Sequence, residues 1–343
     1  MDVKSLALVG EDQRPSFRRK ATFLFKSWRL FLRSKDTPAI VLVGHPSLGL
    51  AALAAMRLAR IRPRASFYFF YGTDSWSLGL VERRLLYRSA LQPVTISAFS
   101  AGSLTGGKNA LVLHPGLEPD WYDMLVQSHR PAVERTGQDF NVATVFRLEA
   151  AEGKGALALI EAIAQLRERG LPVTLSIAGS GTVQRRLEQC VAGQPWVSIQ
   201  TNPTDTELAS IYAGADLFVL ATRTRLSGEV FGEGFGIVLV EAQLSGTPVV
   251  APAFGGSSAA YIEGVTGLRP ADQSVDALVA TMSVLLEDRN RLHQMGINAR
   301  LWARHYFQPQ SRAHEVGQLL LAGGVGDAAT PLRLNVVDRP SHP

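Results

Sequence analysis

Residues Glu233-Gly-Phe-Gly-Ile-Val-Leu-Val-Glu241 place two carboxylates and two loop glycines in front of the apolar run Ala-Gln-Leu-Ser-Gly-Thr-Pro-Val-Val. The pattern predicts a loop that turns into a helix and then a buried strand. Gly234 and Gly236 let the backbone come close to a ligand at the helix start. The first N–H groups of a helix have no partner within it, and together with its dipole they form an anion site. A rise of about 1.5 Å per residue sets Glu241 roughly 10 Å along the axis from Gly234, about two turns on and on the same face. That separation suits a sugar at the mouth, a diphosphate at the helix start and a ribose further down. Glu241 stands among Ile237, Val238, Leu239, Val240, Ala242 and Leu244. A carboxylate desolvated there needs hydrogen-bond donors, and ribose hydroxyls are candidates. Snorkelling to solvent and capping a neighbouring loop are the alternatives for it.

A diphosphate at that helix start would carry negative charge that something must neutralise. The chain holds no Asp-x-Asp pair of the kind that grips a divalent metal. Fixed cations and a helix N-terminus are the other means. Arg147, at the end of an expected strand, and Lys154, ahead of the next helix, occupy loops of the kind that face a cleft. Taken alone, each would read as a solvated surface charge.

Around these residues strands and helices alternate. Ala39–Gly44, Ala65–Tyr71, Val94–Ser97 and Ala110–Leu113 read as strands of a first doubly wound parallel sheet, with a further short candidate at Leu6–Gly10. Phe140–Phe146, Pro172–Ala178, Trp196–Gln200 and Asp216–Leu220 begin a second series, and Thr204-Asp-Thr-Glu207 forms a capping box before the helix that ends near Ala213. The polar stretch Arg130–Asp139 reads as the linker.

The paired-glutamate stretch resembles the signature of retaining GT-B glycosyltransferases, the large group 1 or family 4-like set that includes the phosphatidylinositol mannosyltransferases. The resemblance covers residues 140–307 strongly and 39–120 weakly. It implies an α/β, GT-B architecture of two Rossmann-like doubly wound domains facing a cleft. The expected division is an acceptor-side domain at 1–137 and a nucleotide-sugar domain at 138–307. A final helix at 308–322 would cross back to the first domain, and 323–343 would form a flexible tail. By the same resemblance Arg147 and Lys154 bind the diphosphate and Glu233 holds hydroxyls of the transferred sugar. Gly234, Phe235, Gly236 and Ile237 offer backbone N–H groups, and Glu241 takes the ribose. Gly179 and Gly181 let the donor lie against the backbone, and Gln200 and Thr201 lie where the base is contacted through main chain.

The resemblance further implies hexose transfer from a UDP- or GDP-sugar to a hydroxyl acceptor, retention of anomeric configuration, and neither metal nor other cofactor. The chain departs from the pattern on the acceptor side. Many relatives carry a histidine near the position of Tyr71-Gly-Thr-Asp74, and a glutamate two residues after the pair seen here as Gly255-Gly256. His45, Tyr71 and Asp74 are the acceptor-side candidates. A degenerate scaffold that binds a nucleotide or anionic lipid without turnover is one competing class, and a sugar-nucleotide epimerase another.

Composition bounds the partners. The 343 residues carry a net charge of +5, and the excess is uneven, with 19 Lys/Arg against 11 Asp/Glu in residues 1–140 and 16 against 19 beyond. A basic first half favours an anionic partner or surface. The stretch Arg14–Arg33 reads as an amphipathic helix, with Leu24, Trp28 and Phe31 at helical spacing among cations. Such a helix packs on a sheet, lies on an anionic membrane, or does both. Lipid-linked, glycan and soluble acceptors all remain open, whereas no clustered aromatic and basic motif points to nucleic acid. The single cysteine, Cys190, excludes an internal disulfide and suits a reducing compartment. The expected location is cytoplasmic, with peripheral attachment to the inner membrane face as an option.

Overall fold

The structure, a computed structural model, describes residues 17–34, 39–45, 48–104, 109–129, 139–228 and 230–322. The strand expected at 6–10, nearly all of the linker at 130–139 and the tail from 323 lie outside the described residues. The first part comprises α1 (Phe17–Arg33), β1 (Ile40–Val43), α2 (Gly49–Ala59), β2 (Ala65–Phe70), α3 (Thr73–Trp76), α4 (Leu80–Arg88), β3 (Gln92–Thr95), α5 (Ala98–Ser103), β4 (Leu111–Val112) and α6 (Pro119–Gln127). The second runs through β5 (Phe140–Val145), α7 (Ala156–Glu168), β6 (Val173–Gly179), α8 (Arg185–Val191), β7 (Val197–Thr201), α9 (Asp205–Gly214) and β8 (Leu217–Val219). It continues with α10 (Ile237–Leu244), β9 (Val249–Val250), β10 (Gly267–Leu268), α11 (Val275–Leu286), α12 (Arg289–Tyr306) and α13 (Pro309–Ala322).

Both sheets are parallel throughout. The second has six strands in the order β10-β9-β8-β5-β6-β7. This is the doubly wound order, and its direction of winding reverses between β5 and β8. Ligands bind beyond the carboxyl ends of strands at such a reversal. The first sheet runs β1-β2-β3-β4, with no reversal among the described residues.

Alternate residues of β5 and β6 point to opposite faces, and each face carries its own core. Val142, Leu175, Ile177 and Leu217 pack with α7 and α11. Ala143, Val145, Ala178 and Phe218 pack with α6, α9, α10 and α12. α6 precedes the expected divide at 137/138, yet Tyr122 and Leu125 belong to this second core. α13 returns to the first sheet, where Leu319 packs with Ala65, Phe67 and Val94.

α1 buries Phe23 and Ser27 along α2, a line beside the expected Leu24–Trp28–Phe31 stripe, of which Phe31 touches the first core. No helix among the described residues is long and apolar enough to cross a membrane.

Candidate active site

The candidate residues gather at the carboxyl edges of both sheets. Beyond β5, Arg147 is exposed at the start of a short 3-10 turn, Leu148–Ala150. The Ala150 N–H bonds the Arg147 carbonyl and the Lys154 N–H bonds the Ala150 carbonyl, both at 2.9 Å, so one folded loop carries both cations. Gly155 ends that loop at φ +73°, a left-handed conformation that only glycine adopts cheaply. A Cβ there would run into the Ala221 carbonyl beyond β8.

Lys154 Nζ donates to Glu233 Oε2 at 2.9 Å. The two side chains are 24% and 14% exposed, so the pair is partly screened but remains open to a ligand. Thr222 Oγ1 donates to the same oxygen at 3.3 Å. Sequence reasoning missed Thr222, and its only signal was its place just beyond a strand end.

Gly236 lies at φ +81° and caps α10, which starts at Ile237. The helix therefore begins three residues later than the glycine spacing implied, because Gly234–Gly236 form the turn itself. Glu241 sits roughly 6 Å, about one turn, from the helix start rather than two. Its carboxylate is also engaged: Trp121 Nε1–H donates to Oε1 at 3.0 Å and the Tyr212 hydroxyl to Oε2 at 2.6 Å. The protein itself thus supplies two of the donors that this carboxylate needs, beside those expected from a ribose. Burial raises the Glu241 carboxyl above the usual range, and these two bonds work against that rise.

Gly179 ends β6 against the Phe146 carbonyl, leaving no room for a Cβ, and Gly181, at φ +96°, lies against the Glu149 carboxylate. The Gly181 N–H bonds Asn202 Oδ1 at 3.1 Å. Gly179 is thus required by the packing of its own domain, and Gly181 by its left-handed backbone, since the exposed Glu149 side chain can move aside. Gln200 and Thr201 end β7, Gln200 half-buried and Thr201 exposed.

The first sheet meets this loop directly. A Cβ on Gly234 would lie 2.7 Å from the Tyr71 carbonyl and 2.9 Å from Gly72 Cα. The Gly256 N–H bonds the Glu233 carbonyl at 2.7 Å and holds the loop from the other side. Of the acceptor-side candidates, Tyr71 is 53% exposed beside this contact. Asp74 is turned into its own loop, where both oxygens accept from the Tyr71 N–H at 2.9 Å and Oδ1 accepts from the Ser75 N–H at 2.8 Å. His45 is exposed beyond β1.

His114, beyond β4, was not singled out as a site residue. Its ring lies 5.4 Å from that of Phe235 and 6.4 Å from that of Tyr306. Burial, and then the Arg312 cation, lower its pKa to about 4, so it is neutral at neutral pH. Arg312 of α13 covers Tyr306 at 4.9 Å and Phe307 at 5.7 Å, which fastens the returning helix beneath the glutamate loop.

Two parallel α/β sheets with facing carboxyl edges, one doubly wound, and a lysine–glutamate pair beside a glycine-capped helix define the GT-B class. The model for glycosyl transferases group 1 matches residues 127–302, and the chain belongs to that family. A GDP-mannose-dependent α-(1-6)-phosphatidylinositol monomannoside mannosyltransferase of Mycolicibacterium smegmatis is 32% identical over 220 residues, which are 62% of this chain and 57% of that protein. A D-inositol 3-phosphate glycosyltransferase of Corynebacterium aurimucosum is 31% identical over 201 residues, 55% of this chain and 45% of that one. The chain thus spans about half the length of the curated relatives it matches. Among solved structures, Anabaena Alr3699/HepE in complex with UDP and glucose superposes with a TM-score of 0.68 at 20% identity, covering 88% of this chain and 82% of that one. A glycosyltransferase from Rickettsia africae gives 0.73 at 15% identity, covering 95% and 85%. At such identities these two likenesses establish the fold.

Proposed function

We propose that the protein transfers a hexose from a UDP- or GDP-sugar to a hydroxyl acceptor, with retention of configuration and without a metal. The observation that carries this reading is the Lys154–Glu233 pair at the mouth of the Gly236-capped helix. A cation that leaves the glutamate for an incoming diphosphate frees the carboxylate for sugar hydroxyls in the same movement. Arg147 on the same loop adds a second charge, and the N–H groups of Phe235, Gly236 and Ile237 supply donors at the helix start. In this reading the leaving phosphate assists removal of the acceptor proton. Neither carboxylate then has to act as a nucleophile, and the charge on the leaving group is met by Arg147, Lys154 and the helix start rather than by a divalent ion.

The test is to incubate the protein with UDP-glucose and GDP-mannose and a panel of lipid-linked and soluble acceptors, with and without EDTA. Product of the donor's own anomeric configuration, formed at an undiminished rate in chelator, is expected. An inverted product, or complete loss in EDTA, would overturn the corresponding part of the proposal.

An acceptor presented at an anionic membrane surface is favoured by α1. Its outer face exposes Phe25 at 53% and Leu32 at 42% among Arg18, Lys26, Arg29 and Arg33, with Arg29 5.9 Å over the Phe25 ring. The helix contains no acidic residue. Cations around exposed apolar side chains bind an anionic interface. Flotation with phosphatidylglycerol vesicles, but not with phosphatidylcholine vesicles, is expected at low salt and should weaken in F25A/L32A. Absence of binding to the anionic vesicles would end the membrane reading.

A further inference from the structure

We propose that Trp121 and Tyr212 are positioning residues for Glu241, clamping its carboxylate so that two acceptor positions stay available to a vicinal diol such as the donor's ribose. The inference rests on the donor-site reading above and goes beyond it by assigning two residues from helices outside the glutamate motif.

The geometry is one donor on each carboxylate oxygen. Trp121 Nε1–H of α6 bonds Oε1 at 3.0 Å, and the Tyr212 hydroxyl of α9 bonds Oε2 at 2.6 Å. An ionised carboxylate offers about four lone-pair positions, so about two remain. Glu241 itself is partly exposed, whereas its neighbours Leu239, Val240, Ala242 and Leu244 are fully buried. The carboxylate therefore cannot drift among rotamers for want of a partner. Its two partners are neutral, so they fix its direction without cancelling its charge. This differs from Glu233, whose partner is the Lys154 cation.

Both donors are held rigidly. Tyr212 is fully buried with its ring 5.5 Å from that of Phe218. Burial and the nearby glutamate push its phenol well above the usual range, so it remains a donor at every working pH. α6 is fastened by the Tyr122 hydroxyl, which donates to the Arg304 carbonyl at 3.1 Å, and by Arg300, which donates to the Val126 carbonyl at 2.8 Å. Of the charged side chains on the helices packed against α10, Arg300 donates through Nη2 to that carbonyl, Asp120, Asp123, Asp205, Glu207 and Arg304 are exposed, and no charged group figures among the causes that shift the Glu241 carboxyl. The two neutral donors thus lower the Glu241 carboxyl against the rise that burial imposes.

The experiment compares UDP and GDP with their 2′,3′-dideoxy counterparts by equilibrium binding to the full chain between pH 5.5 and 8.5. Wild type, Trp121→Phe, Tyr212→Phe and Glu241→Gln are measured side by side. The wild type is expected to prefer the ribonucleotide by about tenfold or more, as a hydrogen bond to a charged group implies. Each Phe variant should lose most of that preference with its dideoxynucleotide affinity unchanged. The preference that remains should fall away at a higher pH than in the wild type, because losing a donor raises the Glu241 carboxyl further and protonation removes the charge that strengthens its bonds to the hydroxyls. Glu241→Gln, which keeps only a neutral acceptor, should show a much smaller preference that does not change with pH. A preference and pH profile equal to wild type in the Phe variants would overturn the clamp and leave the donor site standing. Nucleotide binding without ribose preference in the wild type would overturn the clamp together with the ribose role of Glu241. No nucleotide binding at all would bring down the donor reading itself. If Trp121→Phe does not fold, Tyr212→Phe decides the matter, since it removes a single oxygen and keeps the ring.

Discussion

Replacing Lys154 by methionine is expected to lower kcat/KM for sugar transfer by about 10²- to 10³-fold, the loss typical of removing one preorganised group from a developing charge. The loop holds Lys154 in place, so only its side chain has to leave Glu233, 2.9 Å away, to meet a diphosphate. Stability should change far less. With the side chains 24% and 14% exposed, the pair is partly screened by solvent, and its loss should cost about 1 kcal/mol. Glu233→Gln should also impair transfer strongly, through the sugar hydroxyls. Because the two side chains touch, their effects should not add, and K154M/E233Q should be scarcely worse than the weaker single variant. Steady-state kinetics of the four proteins, with melting temperatures as the control for folding, check this. Wild-type-like rates in both single variants would mean that the donor site lies elsewhere.

The second large effect is expected at Gly155. Gly155→Ala must place a Cβ at φ +73° and also against the Ala221 carbonyl. The left-handed backbone alone costs about 1–2 kcal/mol. The clash adds to it by forcing the loop after β5 away from the end of β8, for a total of about 3 kcal/mol or more. Lys154 is the preceding residue, so the displacement should also remove it from Glu233 and weaken nucleotide binding. Gly170→Ala is the matched control: it has φ +87° but nothing within 4 Å of the added Cβ. It should pay only the backbone cost and bind nucleotide normally. Urea unfolding of both variants separates the two terms, and equal losses at the two positions would refute the role given to the Ala221 contact.

The parallel α/β character of the second half followed from its alternation of strands and helices, each strand a short apolar run with a turn signal after it, but the place of the reversal between β5 and β8 did not, since the first half alternates as well and its sheet has no reversal among the described residues. The lysine–glutamate pair was approachable from sequence because glycines mark both loops that carry it. What the sequence hid arises from elements far apart along the chain. Trp121 and Glu241 are 120 residues apart, and nothing local to either indicates the bond between them. Trp121 stands before the linker, where apolar residues read as part of the first domain, yet α6 buries Tyr122 and Leu125 in the second core. Thr222 had no signal beyond its place after a strand. Asp74 looked available, but a turn only a few residues long folds its carboxylate back onto the Tyr71 and Ser75 N–H groups. The start of α10 was misjudged because a glycine at φ +81° ends the turn without joining the helix.

Thermal melting of the wild type and of Lys154→Met with UDP, GDP, ADP and TDP, each with and without chelator, asks most directly whether these residues form a nucleotide-sugar site. One nucleotide should stabilise the wild type by about 2.7 kcal/mol at a hundred times its Kd, regardless of chelator, and Lys154→Met should lose most of that shift. No shift with any of the four, or the same shift in Lys154→Met, would contradict it.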